Sequence, residues 1–204
     1  MPEALVNRRA EVINAAERIL EREGPDAVTM RRLADELRIQ APSLYKHIAS
    51  KTEIEGALQQ RALERLGAVL AGASADLATL VAAYRRWALE HPRLYELSAR
   101  HSLDRPRLES GVEAAAAAPL LSITGGNIAA ARAIWGLAHG LVDLELANRF
   151  PPNADLDAAW AHAINAFAIY CTPKPEGNPT SRVGLPPAGP ATPSPCARSC
   201  CRTA

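Results

Sequence analysis

The sequence predicts an all-α protein. Three observations carry that prediction. Alanine and the aliphatic residues dominate while aromatic residues make up only 4% of the chain, a composition that favours helices over strands. Apolar residues recur at spacings of three and four up to about residue 170, the period of one helix face. Proline, glycine and capping residues interrupt that period at intervals of one helix length.

The elements follow in order. A first helix is predicted over 5–23, where Val6, Ala10, Ile13, Ala16 and Leu20 form one apolar stripe and Gly24-Pro25 ends it. Thr29 suits the N-cap of a second helix over 30–37, which turns Met30, Leu33, Ala34 and Leu37 inward. Arg38-Ile39-Gln40 makes a short turn. A third helix over 42–48 starts with Pro42, whose missing N–H is harmless in a first turn. Ser50-Lys51-Thr52-Glu53 has the S-x-x-E pattern of a capping box and opens a long fourth helix to about residue 71, with Gly67 and Gly72 as flexible points.

Further helices are predicted over 77–91, stopped by Pro92, and over 93–101 and 104–117, with Pro119 and Gly125-Gly126 as breaks. A long helix covers 127–149. After Pro151-Pro152, Asn153 is expected to cap a last helix over 154–170, with Asp155 and Asp157 near its positive end. The total is about nine helices: a three-helix N-terminal bundle joined by the long fourth helix to a C-terminal helical domain. Residues 172–204 hold eight of the sixteen prolines and almost no large apolar side chains. Such a segment is expected to be a disordered tail, because it cannot bury enough surface to offset its ordering entropy.

Composition also limits function. The net charge of +1 over 204 residues rules out a polycation, so any nucleic-acid affinity must be local. No apolar run of about 18 residues is free of charges; the best, 128–147, contains Arg132, His139, Asp143 and Glu145. No signal peptide is evident at the N-terminus, and all four cysteines fall at or beyond Cys171. A cytoplasmic protein without membrane contact is the expectation. There is no glycine-rich phosphate loop, no metal-ligand set and no nucleophile–base pair tied to a motif, so neither an enzyme nor a cofactor is expected. His139 and Asp143 stand four apart on one helix, but two ligands do not make a metal site. Cys196, Cys200 and Cys201 have no histidine nearby.

The stretch IQAPSLYKHIASK carries the functional signal. Its short helix offers only Leu44 and Ile48 to a core, so Ser43, Tyr45, Lys46 and His47 face outward. A narrow polar helix preceded by a helix and a three-residue turn is a helix-turn-helix, whose second helix fits a DNA major groove. Residues 28–51 hold five Lys/Arg against two Asp/Glu, although residues 1–66 sum to zero. Thr29 and Lys51 stand at helix starts, where phosphate oxygens are favourably met.

TMRRLADELRIQAPSLYKHIASKTEI resembles the DNA-binding segment of the TetR family of bacterial transcriptional regulators. The resemblance extends over residues 6–66, with the helix-turn-helix at 29–48. It implies that Tyr45 and Lys51 touch phosphates and that Ala41, Pro42, Ser43 and Lys46 lie over bases. Arg31, Arg38 and His47 join the expected DNA face. Arg38 stands where such regulators usually carry glycine, at a turn position that often needs positive φ.

In the second half, YRRWALEHPRLYELS and AIWGLAHGLVDLELANRF resemble the regulatory domains of one TetR subgroup, with Trp135, His139 and Gly140 as the recurring residues. The implication is a regulatory and dimerisation domain over 72–171. Tyr84, Trp87, Tyr95, Trp135 and His139 are candidate pocket residues, though aromatics at helical spacing also suit a plain core. Gly136, Gly140, Leu141, Leu144, Trp160 and Ile164 are candidates for a dimer interface, since the 127–149 helix carries more apolar surface than one neighbour needs. The function expected is a repressor that binds a palindromic operator in double-stranded DNA as a homodimer and is released by a small hydrophobic effector. The alternative is a constitutive regulator or activator without a ligand.

Overall fold

The computed structural model describes residues 2–168. Nine α-helices and two 3-10 turns make up the described residues, and no strand occurs among them. The tail expected at 172–204, and with it Cys171, Cys196, Cys200 and Cys201, lies outside them.

Four helices build the N-terminal bundle: α1 (Pro2–Glu23), α2 (Met30–Leu37), α3 (Ala41–Leu44) and the start of α4 (Lys51–Gly72). Val12, Ile13, Ala16, Ile19 and Leu20 of α1 bury against Leu33 of α2, Leu44, Ile48, and Ile54 and Leu58 of α4. The predicted caps form. Thr29 Oγ1 accepts the Arg32 amide at 3.1 Å, and Ser50 Oγ accepts the Glu53 amide at 3.2 Å. Each such cap contributes about 1 kcal/mol. Glu53 returns its carboxylate to the amide of Ala49 at 2.8 Å, one residue earlier than a strict capping box.

The rest is α5 (Leu77–Glu90), α6 (Pro92–Ala99), α7 (Val112–Ile123), α8 (Ile128–Leu146) and α9 (Leu156–Phe167). Three sequence expectations need correction. The helix placed at 104–117 begins only at Val112, after a 3-10 turn at Arg105–Arg107 and a left-handed Gly111 with φ 90°. It then continues through Pro119, which was read as a break. Proline removes one backbone hydrogen bond, but Pro119 is buried and α7 lies along α4. The approach is close at Gly67, where an added Cβ would stand 3.2 Å from the Ala116 Cα; Gly67 is therefore a packing residue. The last helix is capped by Asp155, whose Oδ1 accepts the Ala158 amide at 2.9 Å, and not by Asn153.

The same core continues from α4 to α8: Leu70, Leu77, Leu80, Val81, Tyr84, Trp87, Leu94, Tyr95, Ile134 and Val142 are buried in it. Arg85 fastens α5 to α8 and α9, with Glu145 at 2.8 Å and Asp157 at 2.6 Å, and lies 5.4 Å over the Trp160 ring. Among the described residues no single helix is long and apolar enough to cross a membrane.

Candidate functional site

The helix-turn-helix is set by its turn. Arg38 follows α2 with φ 53° and ψ 42°. Its amide donates to the Asp35 carbonyl at 3.1 Å, and the Ile39 amide reaches back to Ala34 at 3.0 Å. This is the Schellman closure, normally built on glycine. An arginine therefore holds the left-handed position that the sequence flagged.

The regular part of α3 is shorter than predicted, four residues in place of seven. Beyond Leu44 the chain tightens, with the His47 amide bonded to the Leu44 carbonyl at 2.9 Å, before Ile48 returns to an i−4 bond at 3.1 Å. The tightening leaves the expected faces in place. Leu44 and Ile48 are buried, whereas Tyr45 is 52% exposed. Pro42 and Lys46 are exposed, and Ala41, Ser43 and His47 are half-buried. Exposed Thr29, Arg31 and Arg38 lie nearby in the chain on α2 and its ends.

Ion pairing sorts the cations of this segment. Arg32 is held inward, with Glu23 and Glu36 each at 2.8 Å. The bonds from Arg32 and then Arg22 lower the Glu23 carboxyl to about 2. Arg31, Arg38 and Lys46 make no ion pair among the described residues. Lys51 is tethered loosely, to the Pro25 carbonyl at 3.4 Å and Glu55 at 3.7 Å. The positive charge free to meet phosphate thus sits on the exposed side of the helix-turn-helix.

Comparison with known proteins agrees with this geometry. Residues 12–58 match the family described as bacterial regulatory proteins, tetR family, and residues 77–167 match the tetracyclin repressor-like C-terminal domain. An uncharacterized helix-turn-helix-type transcriptional regulator of Mycobacterium tuberculosis is 32% identical over 175 residues, 78% of this chain and 79% of that protein. The chain belongs to the TetR family of transcriptional regulators. It is accordingly a DNA-binding regulator. A TetR-family regulator from Streptomyces coelicolor shares the fold with a TM-score of 0.64 and 21% identity, covering 80% of each chain. A protein of unknown function from Rhodococcus sp. RHA1 gives 0.61 with 26% identity, covering 78% of this chain and 92% of that one.

In this TetR-family chain four of the five candidate pocket residues, Tyr84, Tyr95, Trp135 and His139, form one connected group across three helices. The Tyr84 hydroxyl lies 3.4 Å from that of Tyr95, and the rings meet edge-on at 6.1 Å. The Tyr95 hydroxyl is 2.6 Å from His139 Nδ1. Burial first, then the neighbouring Tyr84, pushes the Tyr95 hydroxyl well above the usual phenol range. Tyr95 thus keeps its proton, and its hydroxyl and the His139 ring share one hydrogen bond. Trp135 stacks on His139 with centroids 6.0 Å apart. Trp87 packs on His91 instead, at 5.7 Å, and its buried Nε1 has no hydrogen-bond partner.

Tyr84, Trp87 and Tyr95 are buried, whereas Trp135 is half exposed. The three cavities described lie elsewhere: a cleft of about 390 Å³ between α5 and α9, one of about 210 Å³ beside α6, and a void of about 10 Å³ inside α5, α8 and α9. The candidate interface residues divide. Gly136 and Gly140 have nothing within 4 Å of an added Cβ. Leu144 (42%), Trp135 (51%) and Ile128 (55%) are exposed on α8; Ile128 and Trp135 share one edge of its open face and Leu144 stands at the opposite edge. Leu141, Trp160 and Ile164 line the small void and pack within the chain itself. Trp135, taken from sequence as a pocket residue, therefore faces both ways, with one ring face on His139 and the rest at the surface.

Sequence reasoning passed over Gln59, which is buried in α4 and bonded to three backbone groups beyond α4. Its neighbours three residues away on the helix are the small Gly56 and Ala62. A lone amide between small residues on a buried face was the available signal.

Proposed function

We propose that this regulator is a cytoplasmic, ligand-responsive repressor that binds a palindromic operator as a homodimer. The observation that supports effector control is the Tyr84–Tyr95–His139 chain, a line of hydrogen bonds that links α5, α6 and α8 beside a largely apolar core. A small hydrophobic or aromatic molecule with one hydrogen-bonding group would compete for those bonds while its body enters the apolar surroundings. The open face of α8, with Gly136 and Gly140 at its middle and Ile128, Trp135 and Leu144 at its edges, supports a second copy as its partner. Its two glycines let helices approach closely. A dimer places two recognition helices on half-sites about one helical turn or more apart, ~34–36 Å.

Selection of bound duplexes from a random library tests the DNA half of this reading. An inverted repeat is the expected product, and an unstructured or single half-site consensus overturns the dimeric mode. Hydrophobic and aromatic compounds are then screened for release of the selected duplex. By reciprocity, a true effector binds less tightly in the presence of operator, by the same factor. The burial of Tyr84, Trp87 and Tyr95 supports a second reading, a constitutive regulator with no ligand. That reading prevails if no compound shifts operator affinity while Trp87→Ala leaves it unchanged.

A further inference from the structure

One donor beside the aromatic group has no acceptor. Trp87 is 3% exposed, and its Nε1 is the only buried side-chain nitrogen or oxygen without a hydrogen-bond partner among the described residues. The other tryptophans differ. Trp160 Nε1 donates to Glu145 Oε2 at 3.2 Å, and Trp135 is half exposed. An indole N–H only donates, so its missing partner is an acceptor. Left unpaired in a buried place, such a donor disfavours the state that holds it roughly 5- to 150-fold. A tryptophan kept there calls for a partner that the free chain does not supply.

The surroundings narrow the chemistry of that partner. Tyr84 stands one turn before Trp87 on the buried face of α5. Tyr84, Tyr95 and His139 spend their bonds on one another. A ligand acceptor that competes there exchanges one bond for another, whereas at Trp87 it gains a new one. Burial is the first cause that raises the Tyr84 and Tyr95 hydroxyls above the ordinary phenol range, so these surroundings penalise negative charge. A carboxylate meets the same penalty and a neutral carbonyl oxygen does not. The described cavities do not reach Trp87. The His91 ring packs on it instead, with centroids 5.7 Å apart. His91 is half-buried and its side chain does not cap α6, so its ring is the cover most readily displaced. We propose that Trp87 Nε1 anchors the effector, and that the effector is an uncharged apolar molecule whose carbonyl oxygen accepts the Trp87 hydrogen bond while its body takes the place of the His91 ring. The inference rests on the reading of the aromatic group as the regulatory site.

The test uses the full chain and matched probes. Acetophenone and benzophenone are each paired with the alkene in which CH2 replaces the carbonyl oxygen, so shape is kept and the acceptor is lost. Indole N–H signals are followed in proton–nitrogen correlation spectra and assigned through bonds in the parent protein, which keeps the test independent of how any variant folds. In the free protein the Trp87 proton should lie upfield of the bonded Trp160 proton and show no transfer from water. Either ketone should move it downfield, and neither alkene should. The ketone is expected to bind roughly 5- to 150-fold more tightly than its alkene. In Trp87→Phe that preference should shrink to about twofold or less, because the donor is gone. A water-bonded Trp87 N–H in the free protein, no downfield shift with either ketone, or an undiminished preference in Trp87→Phe overturns the proposal. Benzoate binding as tightly as acetophenone overturns the uncharged class. A ketone that bonds to Trp87 and leaves operator affinity unchanged refutes the regulatory reading and supports the binding site. Operator release by compounds that leave the Trp87 signal unmoved does the reverse.

Discussion

Replacing Arg38 with glycine should make the protein more stable and bind DNA less well. Arg38 holds φ 53°, in a region where a side chain with a Cβ is strained by roughly 1–2 kcal/mol. Glycine relieves that strain but adds freedom to the unfolded chain, which offsets about 0.4–1 kcal/mol of the gain. The net gain is about 0.5–1 kcal/mol. In a domain of this size that raises the melting temperature by roughly 1–4 °C. The Schellman bonds are made by backbone groups and survive the change. The guanidinium is exposed, has no ion-pair partner among the described residues, and lies beside the recognition helix, so its loss removes charge from the DNA face. If it meets one phosphate, the slope of log affinity against log salt falls by about 0.9. Thermal unfolding by circular dichroism and salt-dependent anisotropy on one duplex measure the two effects separately. A lower melting temperature would falsify the strain argument. An unchanged salt slope would show that Arg38 points away from the backbone of the bound DNA.

Other expectations follow from the same geometry. Lys51→Ala should weaken binding to every sequence and reduce the salt slope by roughly 1, whereas Lys46→Ala should change base preference; equal losses on operator and random DNA would make Lys46 a phosphate contact. Gly140→Leu meets nothing in the isolated chain, so it should leave the fold intact while shifting sedimentation from dimer towards monomer and lowering operator affinity. A large fall in melting temperature instead would place Gly140 in the interior. Acid should loosen the N-terminal bundle. Glu23 and Glu36 ionise below their ordinary range through bonds to Arg32 and Arg22. Burial opposes ionisation of Glu17, but Arg61 and Arg65 outweigh it. Folded values below the unfolded 4.5 mean that the stabilisation is full above that pH and is lost as pH falls towards 2. Melting temperature followed through that range should drop less steeply in Glu17→Gln, and an identical slope would remove Glu17 from the acid response.

The sequence by itself determined the features that depend on neighbours along the chain. Helix starts at Thr29 and Ser50 were legible because a hydroxyl reaches an amide three residues on. The buried pair Leu44 and Ile48 followed from helical period, and with it the outward face of Tyr45 and Lys46. Arg38 was marked as unusual, since backbone sterics at a turn are local. Tertiary structure decided the rest. Pro119 continues a helix that is packed along α4 through Gly67 and Ala116, a contact that no local rule contains. Helical period placed Leu141 and Leu144 in one apolar stripe of α8, but only the positions of α5 and α9 partly cover the first and leave the second open. Glu21 and Gln59 read as ordinary polar residues in their own helices. Their partners are backbone groups of α6 and the loop after it, which carry no side-chain signature in the sequence and come within reach only when the helices pack.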